Sequence, residues 1–466
     1  MANRASVIGA GPNGLAAAIV LAQAGLGVDV YEAEAEPGGA ARTLPLTLPG
    51  FMHDFGSAVH PMGAGSPFFS TLPLESYGLH WIHSPADVAH PLDDGTVVLL
   101  LRDFTETGRS LGEDRERWRD LFQRYAENWP VFAEEILGPV MHMPKRPLLM
   151  ARFGLSAIQP ARSFAQNHFN NARTRAVFAG LAAHSFLDLD APLSAAVGMI
   201  FAVTVHAVGW PIPEGGAQSI TNALAALLRQ LGGTIQTSRR ITSLSELADA
   251  LTLCDVPPRE LVRIAGPRLN PTCIQALSQF QVGPGAFKID YALSQPIPWR
   301  AVDCGLAATV HLGGTMEEIA FSERAMSQGR IAERPFVLLA QPSLYDAGRA
   351  PGGKHTAWVY CHVPNGSTVD MTERIEAQIE RFAPGFRECV LARKVFSPAD
   401  LEAADANLIG GDVMGGAMTV RQTLYRPTKQ LYATSDPKIY LCSASTPPGG
   451  GVHGMCGYHA ATRALR

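Results

Sequence analysis

The sequence predicts an α/β fold, α+β over the whole chain, on three observations. A short apolar run at residues 5–8 leads into Gly9-Ala10-Gly11-Pro12-Asn13-Gly14, an Ala- and Leu-rich stretch, and a second strand-like run ending on an acid. A second glycine run, Gly449-Gly450-Gly451, again stands between an apolar strand-like run and a helix-like one. Between them, strand and helix patterns alternate without an internal repeat or low-complexity tract. The 466 residues suggest about three domains by length.

Composition narrows the classes. Lys and Arg number 38 against 42 Asp and Glu, a net charge of −4, which argues against a nucleic-acid partner. Hydrophobic residues at 47% and charged ones at 17% fit a large core and not a disordered chain. The first residues lack a secretory pattern, and no run of about eighteen apolar residues suggests a spanning helix. Seven cysteines are scattered without C-x-x-C spacing. Neither a disulfide framework nor a metal site is expected, and reduced thiols imply a cytoplasmic location.

The first element is a strand at 5–8, followed by a helix over 15–24 that stops at Gly25, and a strand at 28–31 that ends on Glu32. In this G-x-G-x-x-G turn the first glycine permits the tight bend. The second lets backbone approach a pyrophosphate, and the third lets helix and strand pack closely. The helix N-terminus offers N–H groups and a positive dipole end to phosphate. Glu32, 18 residues past Gly14, stands where a carboxylate accepts from ribose hydroxyls. A Rossmann-like dinucleotide site follows, with Gly9, Gly11, Pro12, Asn13, Gly14, Glu32 and Ala33 as its candidate residues.

The next segment is Glu36-Pro37-Gly38-Gly39-Ala40-Ala41-Arg42-Thr43. Its Gly-Gly pair gives backbone a second close approach, and Arg42 a fixed cation near phosphates. This segment resembles the second dinucleotide signature of FAD proteins in the amine oxidase, phytoene desaturase and GDP-dissociation-inhibitor superfamily. The resemblance implies FAD, with Glu32 on the adenosine ribose and Gly38, Gly39 and Arg42 as further contacts. Residues 50–57, ending on Ser57, look like that superfamily's segment leading toward the flavin ring.

At the other end, a strand at 438–442 precedes Ser443-Ala-Ser445-Thr-Pro-Pro448 and Gly449-Gly450-Gly451-Val452-His453-Gly454-Met455-Cys456-Gly457, with a helix over 458–465. This run resembles the C-terminal FAD motif of phytoene-dehydrogenase-like proteins. There the last helix turns its positive end to the flavin pyrimidine edge. Ser445, Gly450, Gly451, Val452 and His453 are its candidate contacts. The context of Cys456 differs from that of the flavin-linked cysteine in some amine oxidases, so noncovalent FAD is expected.

In the middle, Gly209-Trp210-Pro211 leads through Gly215-Gly216 to a helix over 219–231 that ends at Gly232-Gly233. Strand-like pieces follow at 234–237 and 241–244. In the resembled family the later piece lies along the adenine, which makes Ile241 a candidate there. Residues 247–255 would complete the sheet. The implied division is an FAD-binding domain at 1–70, 210–270 and 430–466, and a mixed-sheet substrate domain with a helical cap at 71–209 and 271–429.

Within the insertions, residues 113–137 read as one long amphipathic helix. Residues 141–153 mix apolar and basic side chains, which fits a cap over an apolar tunnel or plain core. They are also a candidate peripheral membrane contact, giving a cytoplasmic or membrane-peripheral protein. Strands at 286–293 and 356–363 and a helix over 372–382 complete the reading.

The resemblance extends along nearly the whole chain. Ala183-His-Ser-Phe186, His206-Ala-Val-Gly-Trp-Pro211, Phe382-Ala-Pro-Gly-Phe386 and Asn407-Leu-Ile-Gly-Gly-Asp412 look like bacterial phytoene-dehydrogenase-related flavoproteins, including the pyridine-nucleotide-disulphide-oxidoreductase-domain branch. It implies an FAD-dependent oxidoreductase that desaturates or saturates a small apolar or polyene-like substrate by hydride transfer at flavin N5. A flavin-dependent isomerase, an amine oxidase and a GDP-dissociation-inhibitor-like binding protein are the alternatives. His60 and His453 are the candidate proton handlers, and Trp210 a candidate apolar wall beside the reacting atoms.

Overall fold

The computed structural model describes residues 4–248 and 251–466. Two sheets organise it. The first has five strands in the spatial order Ile439–Leu441, Leu251–Cys254, Arg4–Ile8, Gly27–Tyr31, Thr234–Gln236. All its pairings are parallel. Numbered along the chain this is 5-4-1-2-3, the first five positions of the Rossmann order. The order reverses between Arg4–Ile8 and Leu251–Cys254, so a crevice opens at the C-terminal ends of those two strands.

The second sheet has seven strands, from Val390–Phe396 at one edge through Gly285–Leu293, His355–Val363, Val337–Ala340, Ala307–Leu312 and Ala86–Pro91 to Val97–Leu100. Its pairings are antiparallel except that of Ala307–Leu312 with Ala86–Pro91. Alternation gives it two unlike faces. Phe287, Ile289, Tyr291, Val359, Cys361 and Val363 build an apolar core with Ile375, Ile379 and Phe382 of the helix Thr372–Phe382. Lys288, Asp290, Trp358, Tyr360 and His362 stand at the alternate positions.

Seven α-helices follow one another between Phe104 and Ala207. Their apolar faces share one core with the helices Pro12–Gln23 and Met455–Ala464. Among the described residues, no helix is long and apolar enough to cross a membrane.

Several boundaries differ from expectation. The first helix runs Pro12–Gln23, three residues earlier, because Gly11 caps it and Pro12 fits its first turn. The last helix, Met455–Ala464, also begins earlier, directly after Gly454. The single helix expected over 113–137 is two, Arg115–Glu127 and Trp129–Ile136. Pro130 has no N–H to donate to a carbonyl one turn earlier and is tolerated only in a helix's first turn, so the first helix ends at Asn128 and a second begins with Pro130 in its opening turn. Residues 241–244 are not a strand: Ser243 caps a short 3-10 turn, Leu244–Glu246, which ends the extended run. Of the strand expected over 247–255, residues 249 and 250 lie outside the described ones, and Leu251–Cys254 is the strand.

Candidate dinucleotide and substrate site

The glycine turn sits at the sheet's switch point. Gly9 holds φ +97°, a conformation that favours glycine. A Cβ on Gly14 would stand 2.1 Å from the Gly9 carbonyl oxygen, so the helix can pack onto the loop only with glycine there. The second turn folds against the first. Gly38 N–H donates to the Ala10 carbonyl at 3.0 Å, and a Cβ on Gly39 would meet Gly11 Cα at 3.3 Å. Two glycine turns thus face each other across a narrow cradle.

The pocket at this point is lined by Gly9, Gly11, Glu32, Ala33, Gly39, Arg42 and Ile241 among the expected residues. Glu32 is buried. One of its carboxylate oxygens accepts from Ala10 N–H (2.7 Å) and the other from Glu34 N–H (2.9 Å). It therefore braces the turn as well as facing the pocket. Arg42 donates to the carbonyls of Gly39 (2.7 Å) and Ala404 (2.8 Å) and lies over the Phe55 ring. Ile241 reaches the pocket from irregular backbone, with Arg239 stacked over Tyr31 nearby. Pro12 and Asn13 open the first helix, and Asn13 Oδ1 is buried without a partner.

The C-terminal motif meets the 57–66 segment. A Cβ on Gly63 would lie 3.1 Å from the Val452 carbonyl oxygen, and one on Gly451 would lie 3.5 Å from Met62 Cβ. Ser66 Oγ donates to the His453 carbonyl at 2.7 Å. Val452 holds φ +54°, a strained conformation for a β-branched residue. Ser57 Oγ pairs with His60 Nε2 at 2.9 Å, and His60 Nδ1 has no partner. His453 Nδ1 accepts from Met455 N–H at 3.0 Å, which assigns its proton to the unpartnered Nε2. Burial lowers both imidazoles to about 4, so both are neutral at pH 7. Ser445 is buried within the same loop. Cys456 Sγ donates to the carbonyls of Gly449 (3.3 Å) and Thr446 (3.5 Å), and burial pushes its thiol up to about 11.

Trp210 packs among aromatic and histidine side chains of the helical segment and the second sheet. Its indole N–H donates to Thr204 Oγ1 at 3.0 Å, and its ring packs on His184, Phe201 and His311. The link to His60 runs through the next residue: His60 N–H donates to the Pro211 carbonyl at 2.9 Å.

The polar face of the second sheet was not read from the sequence. The strand partners Lys288, Tyr360, Leu338 and His311 lie along one rung. Lys288 forms a buried ion pair with Asp290. His184 and His311 share a hydrogen bond between their Nε2 atoms (3.0 Å). His362 Nδ1 pairs with Glu323 at 2.7 Å, and its Nε2 has no partner. Trp358, on the same face, donates to the Gly56 carbonyl at 2.7 Å and ties this sheet to the 50–57 segment. The signal was present in the alternation of 356–363, where Thr356, Trp358, Tyr360 and His362 fall at every second position, and in Lys288 and Asp290 within 286–293. Glu323, on the helix Met316–Ser327, had no such signal. Near His362 runs a largely apolar groove of about 450 Å³, lined by Pro284, Met414, Met418, Val420 and Phe186. Phe186 holds φ +57° and its ring centroid lies 3.8 Å from that of His362.

Comparisons agree with this geometry. Residues 7–72 match the family model of the NAD(P)-binding Rossmann-like domain. The chain is 25% identical to pyridine nucleotide-disulfide oxidoreductase domain-containing protein 2 of Rattus norvegicus, covering 98% of this chain and 92% of that one. It is 25% identical to the lycopene-forming phytoene desaturase of Pseudescherichia vulneris, covering 98% of each. An oxidoreductase structure from Methanosarcina mazei matches with a TM-score of 0.68 at 17% identity, covering 99% of each chain. The chain thus carries a Rossmann-like dinucleotide-binding domain and is similar along its whole length to oxidoreductases of the phytoene-desaturase type.

Proposed function

We propose that the protein is an FAD-dependent oxidoreductase that desaturates or saturates a small, largely apolar molecule. The observation that carries this reading is that the helix following the C-terminal glycine motif packs directly on the helix following the N-terminal one: a Cβ on Gly454 would lie 3.0 Å from Ala16 Cβ, and one on Gly457 1.9 Å from the Asn13 carbonyl oxygen. The cradle between Gly11 and Gly39 suits a pyrophosphate because a Cβ at either position would fill it. Bound FAD would supply the acceptor or donor for a hydride. Glu32 would hold the ribose, and the Gly9–Gly14 turn the phosphates. His453 Nε2–H, beside the Gly449–Gly450 backbone, would donate to an oxygen of the ring. The thiol of Cys456, turned onto its own loop, fits noncovalent binding.

Desaturation also requires that a proton leave the substrate. Glu323 fixes the His362 tautomer with the proton on Nδ1, which leaves the Nε2 lone pair as an acceptor. The groove behind Phe186 offers apolar walls to a substrate that the buried face then meets with polar groups. An amine oxidase is the second reading, favoured by that same polar face. Anaerobic mixing of the flavin-loaded protein with polyene and amine substrates decides between them. Bleaching by a polyene supports the first reading and bleaching by an amine the second. Turnover of a polyene isomer without bleaching or net oxidation would replace the oxidoreductase with an isomerase.

An apolar substrate also suits a membrane-facing cap. Met141, Met143, Leu148, Leu155 and Ile158 are all exposed, at 60–89%, beside exposed Lys145, Arg146 and Arg152. This patch is proposed to rest on an anionic lipid surface. Co-flotation with phosphatidylglycerol vesicles, lost in Leu148→Glu/Leu155→Glu, is the expected result. Flotation that is absent in the parent overturns it.

A further inference from the structure

A carboxylic acid sits where the dinucleotide's phosphates are expected. Asp255 follows the strand Leu251–Cys254, whose Cys254 pairs with Ile8, so it stands beside Gly9 at the switch point. Its backbone N–H donates to the Ile8 carbonyl at 2.7 Å. Its side chain is 93% buried against the glycine turn: Oδ2 accepts from Gly14 N–H at 2.9 Å and lies 3.2 Å from where a Cβ on Gly11 would be. One amide of the helix's first turn is therefore held by an acid of the protein itself. The charged neighbours of Asp255 are also acids, Asp405 and Glu32. The pocket's cations are turned elsewhere, Arg42 to two carbonyls, Arg239 to Gln236 and Arg240 to Glu34.

An ionised Asp255 would repel a pyrophosphate across a few ångströms. A protonated one does the opposite. With Oδ2 still accepting from Gly14, the acid carries a hydroxyl that donates to a phosphate oxygen. We propose that Asp255 is a cofactor-binding residue that holds the dinucleotide's pyrophosphate as a neutral carboxylic acid, so that binding takes up one proton. The inference rests on the FAD reading above. Burial, reinforced by Asp405 and Glu32 and partly offset by the Gly14 N–H, raises this carboxyl to about 7. The thiol of neighbouring Cys254, raised to about 12 by burial, stays protonated throughout the same range.

The sign follows. A proton taken up on binding makes affinity highest at low pH and lowers it as pH rises through the free protein's Asp255 pKa. The test is the dissociation constant of FAD from the deflavinated full chain, by quenching of flavin fluorescence between about pH 6 and 9. Calorimetry in two buffers of different ionisation enthalpy counts the protons directly on the parent protein. Affinity should fall with a slope that approaches about tenfold per pH unit above about pH 8, where proton uptake approaches one. Asp255→Asn keeps an acceptor for Gly14 and a permanent donor, so it should bind FAD with little pH dependence and more tightly than the parent at pH 9. Asp405→Asn should keep the parent's slope. A flat profile with no proton uptake in the parent overturns the proposal, as does a slope that survives in Asp255→Asn or vanishes only in Asp405→Asn. Failure to take up FAD at any pH overturns the FAD reading as well, whereas binding without a slope overturns this inference alone.

Discussion

A single atom decides much of the cofactor site. Gly11 has an ordinary backbone conformation, φ −72°, so its glycine is required by space and not by torsion. Its missing Cβ faces Asp255 Oδ2 at 3.2 Å and Gly39 Cα at 3.9 Å. Gly11→Val should therefore fold and fail to retain flavin, with binding weakened more than a hundredfold; equilibrium dialysis with FAD measures it, and parent-like affinity refutes the placement. The buried histidines give a second residue-scale prediction. His90 is fully buried, with Nε2 on the Gly314 carbonyl at 2.7 Å and Nδ1 unpartnered. Burial lowers it to about 4, below its ordinary value of 6.5. A depressed histidine leaves the unfolded chain binding the extra proton, so its contribution is intact above about 6.5 and is lost as pH falls toward 4. Unfolding free energies of parent and His90→Gln from urea titrations should converge on acidification, by roughly 2–3 kcal/mol between pH 7 and 4. At this scale the sequence showed the glycines and Glu32 because their chemistry is tied to a fixed local spacing. It did not show Asp255, which reaches the same loop from 241 residues away in the chain.

The first and last helices illustrate what a pattern of elements conveys. Both were expected, yet their contact was not legible. Gly457 sits where the helix Met455–Ala464 crosses Pro12–Gln23, and a Cβ there would lie 1.9 Å from the Asn13 carbonyl oxygen and 2.8 Å from Ala17 N. Gly457→Ala must push the two helices apart, and with them the two halves of the cofactor crevice. A loss of about 2–3 kcal/mol is expected, with weaker FAD retention, from thermal and denaturant melts of the loaded protein. Unchanged stability would mean the crossing yields at no cost. The missed break at Asn128 has a plain cause: apolar periodicity continues through it, while Pro130 acts on backbone alone. Residues 241–244 looked extended by composition, but the Ser243 cap turned them, and Ile241 reaches the pocket without a strand. The second sheet's strands were legible as strands. That Lys288, Tyr360 and His311 fall on one rung emerged only from the register.

Over the whole molecule, one parallel sheet gathers strands from residues 4–31, 234–254 and 439–441, and the second sheet stands on the intervening chain. The sequence conveyed this architecture through its two terminal glycine motifs, since local turn chemistry at both ends of a chain implies closure. The polar face of the second sheet depends on pairings among strands far apart in sequence, so the side chains on it were only partly legible. The central claim is that the two motifs form a single noncovalent FAD site. Its most direct test is the absorbance spectrum of the purified protein, followed by acid precipitation and chromatography of the released cofactor. The expected result is a yellow protein with one FAD per chain, all of it in the acid supernatant. A protein that stays colourless after incubation with FAD, or flavin that remains bound to the precipitated chain, contradicts it.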